Sequence, residues 1–203
     1  MLLTLPLFFI ASSARAQERG FAGGLGAVTF GTVTGATVAG RAGFNASSHV
    51  QIFGELGRMS DVLPKSDQQT IENNAAAIVA DDGVTTATVL GRMPTTYGSG
   101  GVRFIGTPHG RVKPFAEGSF GFAHITNNLT ATLAGTDVSP QVLTTPLTSI
   151  TSETDPIMFL GGGVSVATGK RTAVDVGYNY SRIFATNEDI SSGHVYGGFH
   201  VGF

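Results

Sequence analysis

Six charged residues fall where an extended chain would carry them to one side. Arg41, Glu55, Arg103, Lys113, Glu117 and Asp175 each share an alternating face with Gly, Ser, Thr or Asn, while the intervening residues are largely apolar. Three bases and three acids can neutralise one another. If the shared face is enclosed, pairing is required, because a lone buried charge is costly. The plainest reading is a paired polar plug; the alternative is a set of pairs that opens to pass small ions. The other reactive residues form no recognisable machinery. His49 and His109 fall at turns, and His124, His194 and His200 lie on three separate stretches with no H-E-x-x-H spacing. Gly24-Leu25-Gly26 and Gly161-Gly162-Gly163 are not followed by a helix start that could hold phosphate. Cysteine is absent, which removes disulfides and thiolate metal sites. No catalytic, metal-binding or cofactor-binding residue is assigned, and no cofactor is implied.

Strands position these charges. Turn residues and period-two alternation divide the chain into eight extended segments, at 20–29, 36–45, 49–59, 95–106, 111–125, 156–168, 171–184 and 194–203. Val38, Ala42 and Phe44 oppose Thr37, Arg41 and Asn45. Val50, Ile52 and Leu56 oppose Gln51, Glu55 and Gly57. Val102 and Phe104 oppose Ser99 and Arg103. Val112, Ala116, Phe120 and Phe122 oppose Lys113, Glu117, Ser119 and Gly121. Met158, Leu160, Val164 and Val166 oppose Gly161, Gly163 and Ser165. Val174, Val176, Tyr178 and Tyr180 oppose Asp175, Gly177, Asn179 and Ser181. The first segment is rich in Gly and Ala, and its facing is ambiguous. Residues 60–94 and 126–155 read as long polar connections, with a short helix expected within 68–80. Connections alternate between tight and long along the chain, as in transmembrane barrels with short periplasmic turns and longer outer loops.

Composition agrees. Charged residues are 13% of the chain, about half the usual share of a soluble domain. Gly numbers 29 of 203, about double the average. Net charge is −2, which leaves no basic footprint for nucleic acid. Residues 1–16 read as a secretory signal: the apolar run at 2–11 is shorter than the roughly 20 residues of a spanning helix, and Ala14-Arg15-Ala16 is a cleavage pattern. The remaining span, 17–203, is expected to be one domain. The last ten residues put Val195, Phe199, Val201 and Phe203 on one face and His194, Tyr196, Gly198 and His200 on the other, with no polar tail after Phe203. A bare apolar edge invites aggregation, and closure of a barrel removes the edge. Outward Phe120, Phe122, Tyr178, Tyr180 and Phe184 are expected to form an aromatic girdle at the outer interface. The long connections and the last loop carry Asp61, Asp67, Glu72, Asp81, Asp82, Asp137, Glu153, Asp155, Glu188 and Asp189 against Lys65 and Arg92, a balance of −8.

These features together resemble the small eight-stranded outer-membrane β-barrel family, the OmpA/OmpX type. The matching stretches are Gly43-Phe44, Phe53-Gly54-Glu55-Leu56-Gly57, Val112-Lys113-Pro114-Phe115-Ala116-Glu117-Gly118 and the terminal Phe203. The resemblance implies an all-β, eight-stranded antiparallel transmembrane up-and-down barrel in the outer membrane of a Gram-negative bacterium. It also implies that Phe199, Val201 and Phe203 are read by the barrel-insertion machinery. Expected partners are outer-membrane lipid and lipopolysaccharide; an extracellular ligand has no sequence signature, and the barrel is expected to be a monomer. A following peptidoglycan-anchoring domain is not expected. Some barrels of this kind modify lipid A with Ser and His at the outer rim, and His124 or His194 near Ser191 or Ser192 could imitate that. The expected role is non-enzymatic: a surface protein that stabilises the membrane and interacts through acidic outer loops. The alternatives are a small passive channel, a lipid A-modifying enzyme and a soluble ligand-binding barrel.

Overall fold

The computed structural model describes residues 19–82, 87–107, 109–126, 128–133, 136–137, 152–186 and 189–203. The proposed signal, 1–16, lies outside them. In chain order the elements are β1 (Gly20–Gly31), β2 (Gly35–Asn45), β3 (Val50–Met59), α1 (Lys65–Asp82), β4 (Ala87–Arg92), β5 (Thr95–Ile105), β6 (Val112–Thr126), β7 (Asn128–Leu133), β8 (Thr136–Asp137), β9 (Ser152–Ala167), β10 (Thr172–Ile183) and β11 (Ile190–Gly202).

Eight of these strands close into a barrel in the order β1-β11-β10-β9-β6-β5-β3-β2, every pair antiparallel. Closure is made by β1 on β11, from Phe21 opposite Gly202 to Gly31 opposite Ser192. The alternation seen in the chain sets the facing. Phe104, Val164, Val174, Val176, Val195 and Phe199 are exposed on the outer wall, as a lipid-facing surface requires. Phe44, Phe104, Phe199 and Phe203 lie toward the end that carries the tight turns, and Phe30, Phe122, Tyr178 and Phe184 toward the other. Tyr180 is half-buried, its hydroxyl donating to Ser191 Oγ at 2.9 Å. The ambiguous first strand turns Phe21 and Thr29 inward and Val28 and Phe30 outward.

The long connections are more structured than their composition suggests. The helix runs Lys65–Asp82, longer than the expected 68–80, in keeping with the good helix formers Gln68, Gln69, Glu72 and the run of Ala75, Ala76 and Ala77 within it. β4 and β7 pair from Arg92 opposite Asn128 outward to Ala87 opposite Leu133. They prolong the β5/β6 ladder, whose last rung is Thr95 opposite Ile125, beyond the barrel wall. Pro94 marks the break; it has no N–H, yet its carbonyl still accepts from Thr126 N at 3.0 Å. β9 begins at Ser152 and β11 at Ile190, each about four residues earlier than expected.

An apolar core lies at the end of the lumen opposite the tight turns, the outer end with those turns periplasmic, as expected. Tyr97, Ala123, Ile125, Ile157, Phe159, Ile183 and Ile190 fill it from the strands, and Val33, Val62, Leu63 and Ile71 cover it from loops and helix. Asp61 pins this cover: its Oδ1 accepts from Leu63 N at 2.9 Å and from Met93 N at 3.0 Å. Ordering the covering segment thus costs no unpaired backbone donor at those two positions.

Candidate functional site: the luminal charge network

Mid-barrel, the inward side chains of six strands meet. Glu117 on β6 is the centre. Arg41 from β2 donates Nη1 to its Oε2 at 2.8 Å and Nη2 to Oε1 at 3.1 Å. Arg103 from β5 donates Nε to Oε2 at 2.8 Å. Tyr196 from β11 and Asn179 from β10 donate to Oε1 at 3.2 and 3.3 Å. Each arginine then reaches a second acid. Arg41 Nε donates to Glu55 Oε2 at 2.7 Å, and Arg103 Nη1 to Asp175 Oδ2 at 2.7 Å. Tyr97 donates to Glu55 Oε1 at 2.7 Å, and His200 Nδ1 stands 3.5 Å from Asp175 Oδ2. The guanidinium carbons of Arg41 and Arg103 lie 4.2 and 4.0 Å from the ring centres of Phe53 and Phe115.

Five of the six charges read from the sequence therefore come together: Arg41, Glu55, Arg103, Glu117 and Asp175, all buried. Lys113 does not join them. It has the right parity but stands exposed at the turn-bearing mouth, where it makes no ion pair among the described residues. Alternation gives facing, not depth, and Lys113 sits four residues along β6 from Glu117. Tyr97, Tyr196, Asn179, His200, Phe53 and Phe115 complete the site. Tyr97, Phe53 and Phe115 were readable by parity with Arg103, Glu55 and Glu117; reserving the inward face for polar residues hides them. A lumen just wide enough for side chains is filled by apolar ones too.

The histidines divide. His194 points inward and is buried. Its Nε2 is 2.8 Å from Ser181 Oγ and 3.0 Å from Ser192 Oγ, and its Nδ1 is 3.1 Å from Thr29 Oγ1. The Ser192–His194 pairing weighed in the sequence is thus present. Among the described residues no carboxylate bonds His194, as would be needed to orient a catalytic imidazole, and it lies against Phe159 within the filled lumen. His124 faces outward beside Thr154 Oγ1 at 2.9 Å, remote from Ser191 and Ser192 on β11. No group of three or more His, Asp or Glu among the described residues could hold a metal ion.

Above the aromatic level set by Phe122, which faces Pro156, β9 turns Glu153 and Asp155 inward. Among the described residues Glu153 Oε1 and Asp155 Oδ2 have no close hydrogen-bond partner. Burial raises both carboxyls, and the charge of Asp155 raises Glu153 further. An acid whose folded value is raised binds more protons folded than unfolded, so its contribution becomes destabilising as pH rises through the carboxylate range. Asp155→Asn is accordingly expected to raise the urea midpoint more at pH 7 than at pH 4, because the raised carboxyl carries less charge at the lower pH. An equal gain at both values would contradict the assignment.

The family described as "Outer membrane protein beta-barrel domain" matches residues 1–203. No curated protein matches the chain in sequence. Among solved structures, Neisserial surface protein A is similar at 15% identity and a TM-score of 0.56, over 91% of this chain and 96% of that one. The N-terminal β-barrel domain of Pseudomonas aeruginosa OprF is similar at 11% identity and a TM-score of 0.53, over 92% and 98%. Ail, the attachment invasion locus protein of Yersinia pestis, is similar at 11% identity and a TM-score of 0.50, over 92% and 100%. At these identities the likeness is one of fold. With the closed barrel, its apolar outer wall and the match along its whole length, the chain belongs to the outer-membrane protein β-barrel domain family and is a protein of the bacterial outer membrane.

Proposed function

We propose that this barrel is non-enzymatic and non-conducting, that it is embedded as a monomer among phospholipid and lipopolysaccharide, and that it acts through its outer surface. The observation that carries this reading is the double closure of the lumen. The mid-barrel charges are tied to one another by short hydrogen bonds. Above them the bore is packed with isoleucine and aromatic side chains under Val62, Leu63 and Ile71. An ion crossing would have to part a buried charge network and then pass an apolar plug, each costly in a low-dielectric interior. The catalytic alternative is disfavoured by the burial of His194 and, among the described residues, its lack of a carboxylate. What is left for recognition is the outer surface, where Glu72 and Asp189 stay exposed while Glu153 and Asp155 turn inward, and these acids suit a cationic partner.

In planar bilayers the purified barrel is expected to give no current steps above the bare membrane. Regular steps in the wild type would favour the passive-channel reading instead. Expression should leave the lipid A mass spectrum unchanged, with or without His194→Ala. In nanodiscs of phosphatidylcholine, the barrel is expected to bind a basic peptide in a salt-sensitive way that weakens in Glu72→Gln/Asp189→Asn. Salt-insensitive or unchanged binding would remove the acidic surface from the proposal.

A further inference from the structure

The turn-bearing end of the barrel contrasts with the outer one. The three tight turns, at 45–50, 106–112 and 167–172, contain no Asp or Glu, and Arg111, Lys170 and Arg171 are on or beside them. Arg19 lies at the same end, its carbonyl accepting from Asn45 N at 3.0 Å. These charges converge on a shape. A cavity of about 100 Å³ opens at this mouth, lined by Gln51, Arg103, Lys113, Lys170, Arg171 and His200. Ser165, which faces Lys113 across the β6/β9 ladder, adds a hydroxyl to its wall.

The charges here are of two kinds. Arg103 in the cavity wall is already committed to Glu117 and Asp175, and His200 stands beside Asp175. Lys113, Lys170 and Arg171 are exposed and make no hydrogen bond or ion pair through their side chains among the described residues. Their backbones are nevertheless held. Arg171 O accepts from Gly202 N at 2.7 Å, and Gly169 N donates to Thr172 O at 3.1 Å. Three uncompensated cations on a fixed rim, above a polar pocket larger than a water molecule needs, form a receptor for an anion with several acceptor oxygens.

We propose that this mouth binds a phosphate group. Its position favours a lipid source. Val112, Val174 and Val201 face lipid beside it, and Arg171 is three residues from Val174, about 10 Å along an extended strand. The basic rim thus lies at the level where the apolar wall gives way to headgroups of the inner leaflet, and anionic headgroups attract such clusters.

The test uses the barrel folded in maltoside micelles and titrated by calorimetry with three probes: inorganic phosphate, dihexanoyl phosphatidylglycerol and dihexanoyl phosphatidylcholine. Saturable binding of phosphatidylglycerol is expected, weakened at least tenfold in Lys113→Gln/Lys170→Gln/Arg171→Gln and weakened by added salt. Binding of the lipid without inorganic phosphate supports a headgroup ligand; binding of both supports the phosphate itself as the recognised group. Binding of inorganic phosphate alone supports the anion site and moves its source from membrane to solution. If phosphatidylcholine binds as well as phosphatidylglycerol, if no probe binds, or if the triple variant binds unchanged, the proposal is overturned. Should the triple variant lose its folded, heat-modifiable band, the three single variants carry the same test, each with an expected two- to threefold loss.

Discussion

Glu117→Ala is expected to lower the unfolding free energy of the barrel by about 3–5 kcal/mol, the range for removing one partner of a buried ion pair. Glu117 accepts from Arg41, Arg103, Asn179 and Tyr196. Its loss leaves Arg41 with Glu55 alone and Arg103 with Asp175 alone, inside a lumen with little water to take their place. Glu55→Ala provides the comparison. Arg41 then keeps its two contacts to Glu117, and only Arg41 Nε and the Tyr97 hydroxyl lose their acceptor. The expected order of damage is therefore Glu117→Ala well above Glu55→Ala. The chain has no Trp, so urea midpoints in phospholipid vesicles are best read by circular dichroism and by the gel shift on boiling. Equal midpoints for the two variants would mean that Glu117 is not the hub its hydrogen bonds indicate.

The second large effect comes from the inner curvature of the wall. A Cβ built at Gly121 on β6 would fall 1.9 Å from Gly98 O and 2.6 Å from Ser99 Cα on β5. Both are backbone atoms of a paired strand, so no side-chain rotation relieves the clash. Gly161 on β9 is also too tight for a Cβ, at 2.3 Å from Tyr178 O. Outward-facing Gly40 meets nothing within 4 Å. Strands bent into a narrow barrel crowd their inward positions, and Gly allows the approach. Gly121→Val is expected to exceed the ~1–3 kcal/mol of ordinary overpacking and to leave little or no compact band on an unboiled gel. Gly40→Ala should fold like the wild type. A normal compact band for Gly121→Val would show that the β5/β6 ladder can widen without cost.

These two results also mark what a linear reading could reach. Facing was legible because one physical fact, lipid outside and polar groups inside, writes itself at every second residue. Arg41, Glu55, Arg103, Glu117 and Asp175 were found that way. Depth was not legible. Lys113 shares the parity of Glu117, but only the closed barrel shows that the mouth has opened by that rung. The mixed character of the lumen was also hidden, because Phe53 and Phe115 are inward for a reason particular to their neighbours: each lies under an arginine. The outer cover depends on contacts between segments far apart in the chain. Met93 N meets Asp61, and β4 meets β7, through pairings that neither local propensity nor periodicity contains. Ser192 beside His194 could be read from a two-residue spacing; Ser181 and Thr29, the other partners of that imidazole, need the registers of β10 and β1 on β11.

The donors to Glu117 come from β2, β5, β10 and β11, on both sides of the seam where β1 meets β11. A half-assembled sheet holding β6 presents only part of this set: β2 to β6 carries Arg41 and Arg103, and β6 to β11 carries Asn179 and Tyr196. The carboxylate meets all four donors only when the sheet has curled far enough to bring β2 and β5 across the lumen from β10 and β11, which closure of the last strand on the first fixes. Assembly in the bilayer should therefore be strongly cooperative, with open-seamed species held back by ionic groups that have lost water and not yet found each other.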